Sequence, residues 1–196
     1  DGVFLDALKE EKLLTKVRHI TAIEIEKAEA EKVSKNYRMY ANVNVSERDF
    51  FEFYNEALSK REQYDLIVGN PPYIRYQYLS DKQRELQADI LESHGMKANK
   101  LINAWVAFLV ANVQLLSAHG KIAFVIPAEI LQVAYAEELR LFLANNLSSI
   151  TLVTFEKLVF PDIEQEIVVF IGEKKGKQSG IRIVEMVDLS SLQNVD

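Results

Sequence analysis

Asp65-Leu66-Ile67-Val68-Gly69-Asn70-Pro71-Pro72-Tyr73-Ile74 is the stretch on which the reading of this chain turns. Leu66-Ile67-Val68 is a short apolar run with the character of a buried strand, and Gly69 ends it. Asn-Pro-Pro-aromatic then continues neither as strand nor as helix, because each proline fixes φ and removes a backbone donor. Asn70 is biased away from helical geometry by the proline that follows it. The resulting turn is rich in acceptors: the Asn70 side-chain oxygen and the Pro71 carbonyl both accept hydrogen bonds, and Tyr73 adds a flat face beside them. Such a turn suits a planar amine, one carrying two N–H donors on a ring or an amide. An ordinary proline turn closing a strand is the plain alternative.

Outward from this stretch, strand and helix alternate. His19–Ile25 reads as a buried strand ending on an acidic residue, Glu24, and Glu26–Tyr37 as a helix. Ala41–Val45 is a strand, Asp49-Phe50-Phe51 follows it, and Phe50–Leu58 is a helix. Upstream, Phe4, Leu5, Leu8, Leu13, Leu14 and Val17 are spaced to form one apolar helical stripe. Residues 75–99, with Arg75, Tyr76, Tyr78, Lys82, Arg84 and Lys97, read as a polar helical excursion or lid. Leu101–Ala118 is a long apolar helix containing Trp105 and Phe108, with His119-Gly120 as its C-cap. Ile122–Ile126 is a strand stopped by Pro127, and Glu129–Ala144 a helix. Strands at Ile150–Phe155, Glu166–Ile171 and Ile181–Val187 follow, with a Gly- and Lys-rich turn between the last two. This alternation predicts an α/β fold with a doubly wound, mostly parallel sheet.

The chain has 196 residues, 48% hydrophobic and 27% charged, which fits one ordinary domain with a substantial core. No apolar run is long enough to span a bilayer and no secretory leader is evident, so a soluble cytoplasmic protein without a membrane partner is expected. The absence of cysteine excludes disulfides, thiolate zinc sites and a cysteine nucleophile. His19, His94 and His119 lack metal-ligand spacing, and no metal site is expected. A net charge of −6 leaves no broad basic face for gripping phosphates, so nucleic-acid affinity must come from a local cluster or another domain.

On Asn70-Pro71-Pro72-Tyr73 and the segments around it, the chain resembles the catalytic domain of S-adenosylmethionine-dependent DNA adenine (N6) methyltransferases of bacterial restriction-modification systems. The resemblance covers roughly residues 1–175 and implies a Rossmann-like methyltransferase fold. Asp1-Gly2-Val3-Phe4-Leu5 is similar to the tail of that family's glycine-rich cofactor loop, with Gly2 as its last glycine. The first central strand and the earlier glycines are not in this sequence. The resemblance assigns residues 1–178 to the catalytic domain, incomplete at its N-terminus, and residues 179–196 to the start of a following segment or linker.

The same resemblance implies S-adenosylmethionine as cofactor. Glu24, 22 residues after Gly2, matches the acidic residue that binds the ribose hydroxyls, with Ile25 beside it. A carboxylate about 20 residues past a glycine turn is also a ribose acceptor on general grounds. Asp49 matches the aspartate on the cofactor's adenine amino group and Phe50 the aromatic beside the ring, although Asp49 can equally cap a helix. Asn70, Pro71, Pro72 and Tyr73 match the catalytic turn, and Asn70 also borders the cofactor. Phe160 falls where the family packs an aromatic against the target base, with a core phenylalanine as the alternative. Tyr73, Phe160 and Arg75 are thus the substrate-binding candidates.

The chemistry implied is methylation of the N6 amino group of a flipped-out adenine. Cytosine carbon-5 methylation, which needs a cysteine, is disfavoured. Double-stranded DNA is the expected partner, through a target-recognition region outside these residues, with a fused or separate restriction or specificity subunit as a further partner. Two other readings stand beside it. A protein glutamine or an RNA guanine amino group suits the same ten-residue stretch. Pro161-Asp162 with Glu173-Lys174-Lys175 fits loosely the carboxylate-and-lysine pattern of magnesium-dependent nucleases. Without the first strand and its glycines, this piece alone is expected to be inactive and to bind the cofactor weakly or not at all.

Overall fold

The structure is a computed structural model that describes residues 2–98, 103–132, 136–157, 159, 165–176 and 179–194. The chain divides into two compact units, Asp1–Lys60 and Arg61–Asp196.

In the first unit, α1 (Val3–Glu10) is followed by β1 (Ile20–Glu24), α2 (Lys27–Tyr37), β2 (Val43–Glu47) and α3 (Phe50–Ser59). β1 and β2 are parallel, in register from Ile20 opposite Val43 to Glu24 opposite Glu47. Leu5 and Leu14 pack with Val33 and Tyr37 of α2, and Ile20, Ala22, Val43 and Val45 close on this cluster from the strands. The expected long apolar stripe is cut short. α1 ends at Glu10, the chain turns through Lys12 at φ 56°, and the amides of Leu13 and Leu14 both return to the Leu8 carbonyl. Leu14 is therefore buried, while Leu13 and Val17 face water. The Asn42 side-chain amide holds the following loop by donating to the carbonyls of Leu14 (2.9 Å) and Val17 (2.8 Å).

The second unit contains β3 (Tyr64–Gly69), a 3₁₀ turn (Tyr76–Tyr78), α4 (Asp81–Ser93), α5 (Ala104–Gln114) and β4 (Leu116–Pro127). After a further 3₁₀ turn (Ala128–Leu131) come α6 (Ala136–Asn146), β5 (Ser149–Phe155), β6 (Ile167–Glu173) and β7 (Gly180–Met186). The strand order is β3-β4-β6-β5-β7. β3 runs parallel to β4 and β7 parallel to β5, while β6 is antiparallel to both its neighbours, so the sheet is mixed. Residues 179–194 thus bring a strand to the edge of this sheet. α5 is apolar around its whole circumference and is buried against α4, α6 and β4, with Trp105, Leu109 and Val110 fully inaccessible. Each such side chain contributes about 1.5–3 kcal/mol by leaving water. Ile122, Phe124 and Ile126 of β4 with Val168 and Phe170 of β6 form the centre of the sheet.

Four expectations are corrected. β3 is not a buried strand: it is paired only with β4 among the described residues, and Leu66 (57%) and Val68 (40%) are exposed on it. β1 is likewise only half-buried along its length, and Ile25 lies beyond it in solvent. The long helix ends at Gln114, capped by Leu115, rather than at Ala118. Leu116 pairs with Tyr64, three residues beyond strict register loop out, and Gly120 ends that bulge instead of capping a helix. A Cβ on Gly120 would lie 2.8 Å from the Tyr64 carbonyl oxygen, which is why the bulge requires glycine. The predicted helix Glu129–Ala144 is a 3₁₀ turn and the separate α6 on either side of residues 133–135, which lie outside the described residues.

Candidate active site

β3 and β4 run parallel, and their C-terminal ends carry the Asn70-Pro71-Pro72-Tyr73 turn, the place where open α/β sheets bind ligands. Gly69 pairs with Phe124, and the Phe124 ring occupies the space of a side chain: a Cβ at Gly69 would sit 3.0 Å from its Cε1. The glycine thus lets the strand end flat against β4. Asn70 is exposed, Pro71 buried and Pro72 exposed, so the turn is anchored on its inner proline and presents the Asn70 side chain outward.

Tyr73 fixes the other end. Its hydroxyl donates to the Val125 carbonyl at 2.9 Å, one residue past the point where β3 stops pairing with β4. The hydroxyl thus continues the link to β4 past the last β3–β4 pair. Burial pushes the Tyr73 phenol up to about 12, so it remains a donor throughout the neutral range. Beyond it, the Ala104 amide donates to the Ile74 carbonyl at 2.9 Å, and Arg75 forms a bridge with Asn103 at the start of α5. The Arg75 side chain remains exposed. Asn103 was not evident from sequence, since an asparagine ahead of an apolar helix signals only a cap. It makes no side-chain cap bond, and Asn103 Oδ1 and Trp105 Nε1 are buried with no hydrogen-bond partner among the described residues.

The first unit holds Gly2, Glu24, Ile25, Asp49 and Phe50 of the residues expected at the cofactor, and the second holds Asn70. Glu24 ends β1 beside Glu47 of β2, and the Arg48 amide donates to the Glu24 carbonyl at 2.9 Å, so Glu24 and Asp49 share the C-terminal end of the parallel pair. The Glu26 amide donates to Glu24 Oε1 at 3.0 Å and orients the carboxylate. Asp49 caps α3: its Oδ1 accepts from the amides of Phe51 (2.8 Å) and Glu52 (3.3 Å). Phe50 is half-buried with its ring against those of Phe51 and Phe53. Gly2 enters α1 at φ 85° and lies over α2, where a Cβ would meet Val33 Cγ2 at 3.2 Å. Left-handed geometry and close approach both select glycine there. An oriented carboxylate and an anchored aspartate at neighbouring strand ends are acceptors of the kind that fit a nucleoside-bearing cofactor.

Of the remaining candidates, Phe160, Pro161 and Asp162 lie outside the described residues. Glu173 is paired with Lys121 at 3.3 Å, and burial lowers the Lys174 ammonium. No group of three or more histidine or acidic residues suited to a metal ion occurs among the described residues. No described helix is long and apolar enough to cross a membrane. Arg84, one of the cations of the polar excursion, is turned inward: its guanidinium donates to the carbonyls of Tyr76 and Gln77 (both 3.2 Å) and to Asp81 Oδ1 (3.1 Å).

The family model of the Eco57I restriction-modification methylases matches residues 5–160. The chain belongs to this family. Among similar curated proteins, the type II methyltransferase M.HincII of Haemophilus influenzae is 31% identical over 138 residues, covering 69% of this chain and 27% of that protein. M.AccI of Acinetobacter calcoaceticus is 28% identical over 165 residues, covering 82% of this chain and 28% of its own length. This Eco57I-family chain therefore spans about a quarter of those relatives. Among solved structures, a DrdV–DNA complex aligns with a TM-score of 0.69 at 16% identity, over 95% of this chain and 23% of that one. A type I restriction-modification methyltransferase subunit from Streptococcus thermophilus gives the same score and identity over 94% and 40%. At such identity these structures establish the fold alone, the Rossmann-like α/β fold expected from the sequence.

Proposed function

We propose that these residues form catalytic machinery of a site-specific DNA methyltransferase that uses S-adenosylmethionine to methylate the N6 amino group of an adenine flipped out of the duplex. The observation that carries the reading is the acceptor-rich turn Asn70-Pro71-Pro72-Tyr73, held at the C-terminal end of β3 by the Tyr73 hydroxyl on Val125. Membership of a restriction-modification methylase family supports DNA as the substrate class. Adenine and the cofactor are the finer steps of the proposal.

Adenine's exocyclic amine is a weak nucleophile because its lone pair is delocalised into the ring. Asn70 Oδ1 and the Pro71 carbonyl accept its two hydrogens and favour a pyramidal nitrogen, which localises the lone pair for attack. As the nitrogen takes up the methyl group, the positive charge developing on it would lie beside these two oxygens, and one of its protons would then pass to solvent water. This is rate enhancement by orientation and electrostatics, without a covalent enzyme intermediate. Bound cofactor supplies the electrophilic methyl group. Glu24 takes the ribose hydroxyls and Asp49 the cofactor's amino group, with Gly2, Ile25 and Phe50 lining the same ligand. Tyr73 offers its ring to the extruded base, because a base stacked in a duplex cannot reach the turn. Target choice and the restriction partner belong to other parts of the system.

The test is transfer of labelled methyl from S-adenosylmethionine to DNA, RNA and protein by the full-length protein, followed by nucleoside analysis. N6-methyladenine in DNA, lost in Asn70→Ala, is the expected result. Label confined to protein or RNA refutes the DNA reading, and N4-methylcytosine refutes adenine.

A further inference from the structure

We propose that Tyr78 is a second aromatic contact to DNA, stacking on bases of the opened duplex while Tyr73 faces the extruded one. The proposal rests on the DNA reading above and extends it to a residue outside the catalytic turn.

Tyr78 is 73% exposed, the most exposed aromatic side chain among the described residues. An exposed tyrosine on a loose loop is unremarkable in meaning, but this one is rigidly mounted. It closes the 3₁₀ turn Tyr76–Tyr78, where the Tyr78 amide donates to the Arg75 carbonyl (2.9 Å) and the Leu79 amide to that of Tyr76 (3.2 Å). Arg84 clamps the turn from below through its bonds to the Tyr76 and Gln77 carbonyls, and its guanidinium lies 5.3 Å from the centre of the Tyr76 ring. On the other side Leu79 is buried, and Ser80 opens α4 with a capping box: Gln83 N–H donates to Ser80 Oγ, and the Ser80 amide to Gln83 Oε1. Each of these interactions fixes the backbone around Tyr78, and none buries its ring. The arrangement holds an aromatic face toward solvent at a set position.

Continuity with the catalytic turn and local charge indicate what that face meets. From Asn70 the chain reaches Tyr78 in eight residues through segments already pinned, at Val125 by Tyr73, at Ala104 by Ile74 and at Asn103 by Arg75. Tyr78 therefore lies on the same hydrogen-bonded segment as the turn where the base is proposed to react. The eleven residues from Asn70 to Ser80 contain no carboxylate and carry the exposed Arg75, in a chain whose net charge is −6. The first carboxylate after them, Asp81, is paired with Arg84 at 3.1 Å. An exposed aromatic ring and an exposed cation on one short segment suit a nucleobase next to its phosphate. Extruding a base leaves neighbours unstacked, and a fixed ring that covers one of them lowers the cost of opening.

The experiment uses the full-length protein and a duplex bearing the site that the wild type methylates, with 2-aminopurine at the target position. Tyr78→Ala should weaken binding to the matched duplex by about tenfold, the order expected for one base–aromatic stack, and reduce the 2-aminopurine signal of the extruded base. Tyr78→Phe should retain both. On a duplex whose target is mispaired, and so already partly unstacked, the Tyr78→Ala deficit should shrink to about twofold or less. The melting temperature of the variant should match the wild type. Equal deficits on both duplexes, no deficit on either, or a lowered melting temperature without a DNA effect would each overturn the proposal. The last outcome would mean that Tyr78 is covered by another part of the protein. A wild type that methylates no DNA defeats the earlier reading instead, which separates the two failures.

Discussion

Tyr73→Phe removes one oxygen and leaves the ring, which separates the two duties assigned to this residue. The lost bond is the 2.9 Å donation to the Val125 carbonyl. A hydrogen bond of this kind contributes about 0.5–1.5 kcal/mol net. Val125 is half-buried, so water replaces the hydroxyl only in part, and about 1 kcal/mol is the expected loss of stability. For a chain of this size that lowers the melting temperature by roughly 2–4 °C. The same bond holds the far end of the turn that carries Asn70 and Pro71, so a comparable loss of positioning slows methyl transfer roughly fivefold. Tyr73→Ala loses the bond and also the face on which the base stacks, a further deficit of about 1–3 kcal/mol, or at least fivefold in rate or DNA affinity beyond Tyr73→Phe. Thermal unfolding and single-turnover methylation by the full-length protein measure both quantities. Tyr73→Phe matching wild type in both assays, or Tyr73→Ala no worse than Tyr73→Phe, refutes the reasoning. The sign with pH is also set. Because burial raises the phenol from 10.0 to about 12, its contribution is complete below pH 10 and is lost as pH rises toward 12, where the unfolded chain releases its proton first.

Gly69→Ala drives a methyl group to 3.0 Å from Cε1 of Phe124, a buried ring that must shift to admit it. It should cost about 1–3 kcal/mol in chemical denaturation and depress methylation along with stability. Asp49→Ala removes the α3 cap and should destabilise by about 1 kcal/mol. Asp49→Ser restores the cap, so wild-type stability with weakened cofactor binding in calorimetry would assign the aspartate its second role, whereas restoration of both would leave it a cap alone. Glu56, held down to about 2 by Lys60 and Arg48, contributes stability that is complete above pH 4.5 and lost as pH falls toward 2. The melting-temperature gap between wild type and Glu56→Gln should therefore close across that interval, and a gap that persists at pH 2 would refute the assignment.

Much of the fold and of the site was legible in the residues because the information is local. The β-branched run before Gly69, the double proline after Asn70 and the acidic residue at the end of an apolar segment restrict the backbone within a few positions of themselves. Those restrictions place a strand end, an acceptor-rich turn with two donor-free prolines and a carboxylate where the structure has them. Element limits were less legible wherever a distant partner decides them. Nothing near Leu116 shows that it leaves α5 to pair with Tyr64, fifty-two positions earlier, or that a bulge at Gly120 follows. The antiparallel setting of β6 is equally invisible, since an apolar strand reads alike in either direction. Arg84 illustrates the same limit among side chains: a cation in a polar segment could meet phosphate or solvent, and only the folded chain turns it onto the Tyr76 and Gln77 carbonyls.

The Asn-Pro-Pro-Tyr turn is thus determined by sequence in its chemistry, because proline geometry and the acceptor content of asparagine are properties of the residues themselves. Its position is not. The bond from Tyr73 to Val125 spans fifty-two residues, Gly69 lies flat only because Phe124 is opposite, and Arg75 is tied to Asn103 by neighbours in space. Hydrogen bonds and close packing act over a few ångströms, so tertiary structure alone decides which distant groups come within their reach.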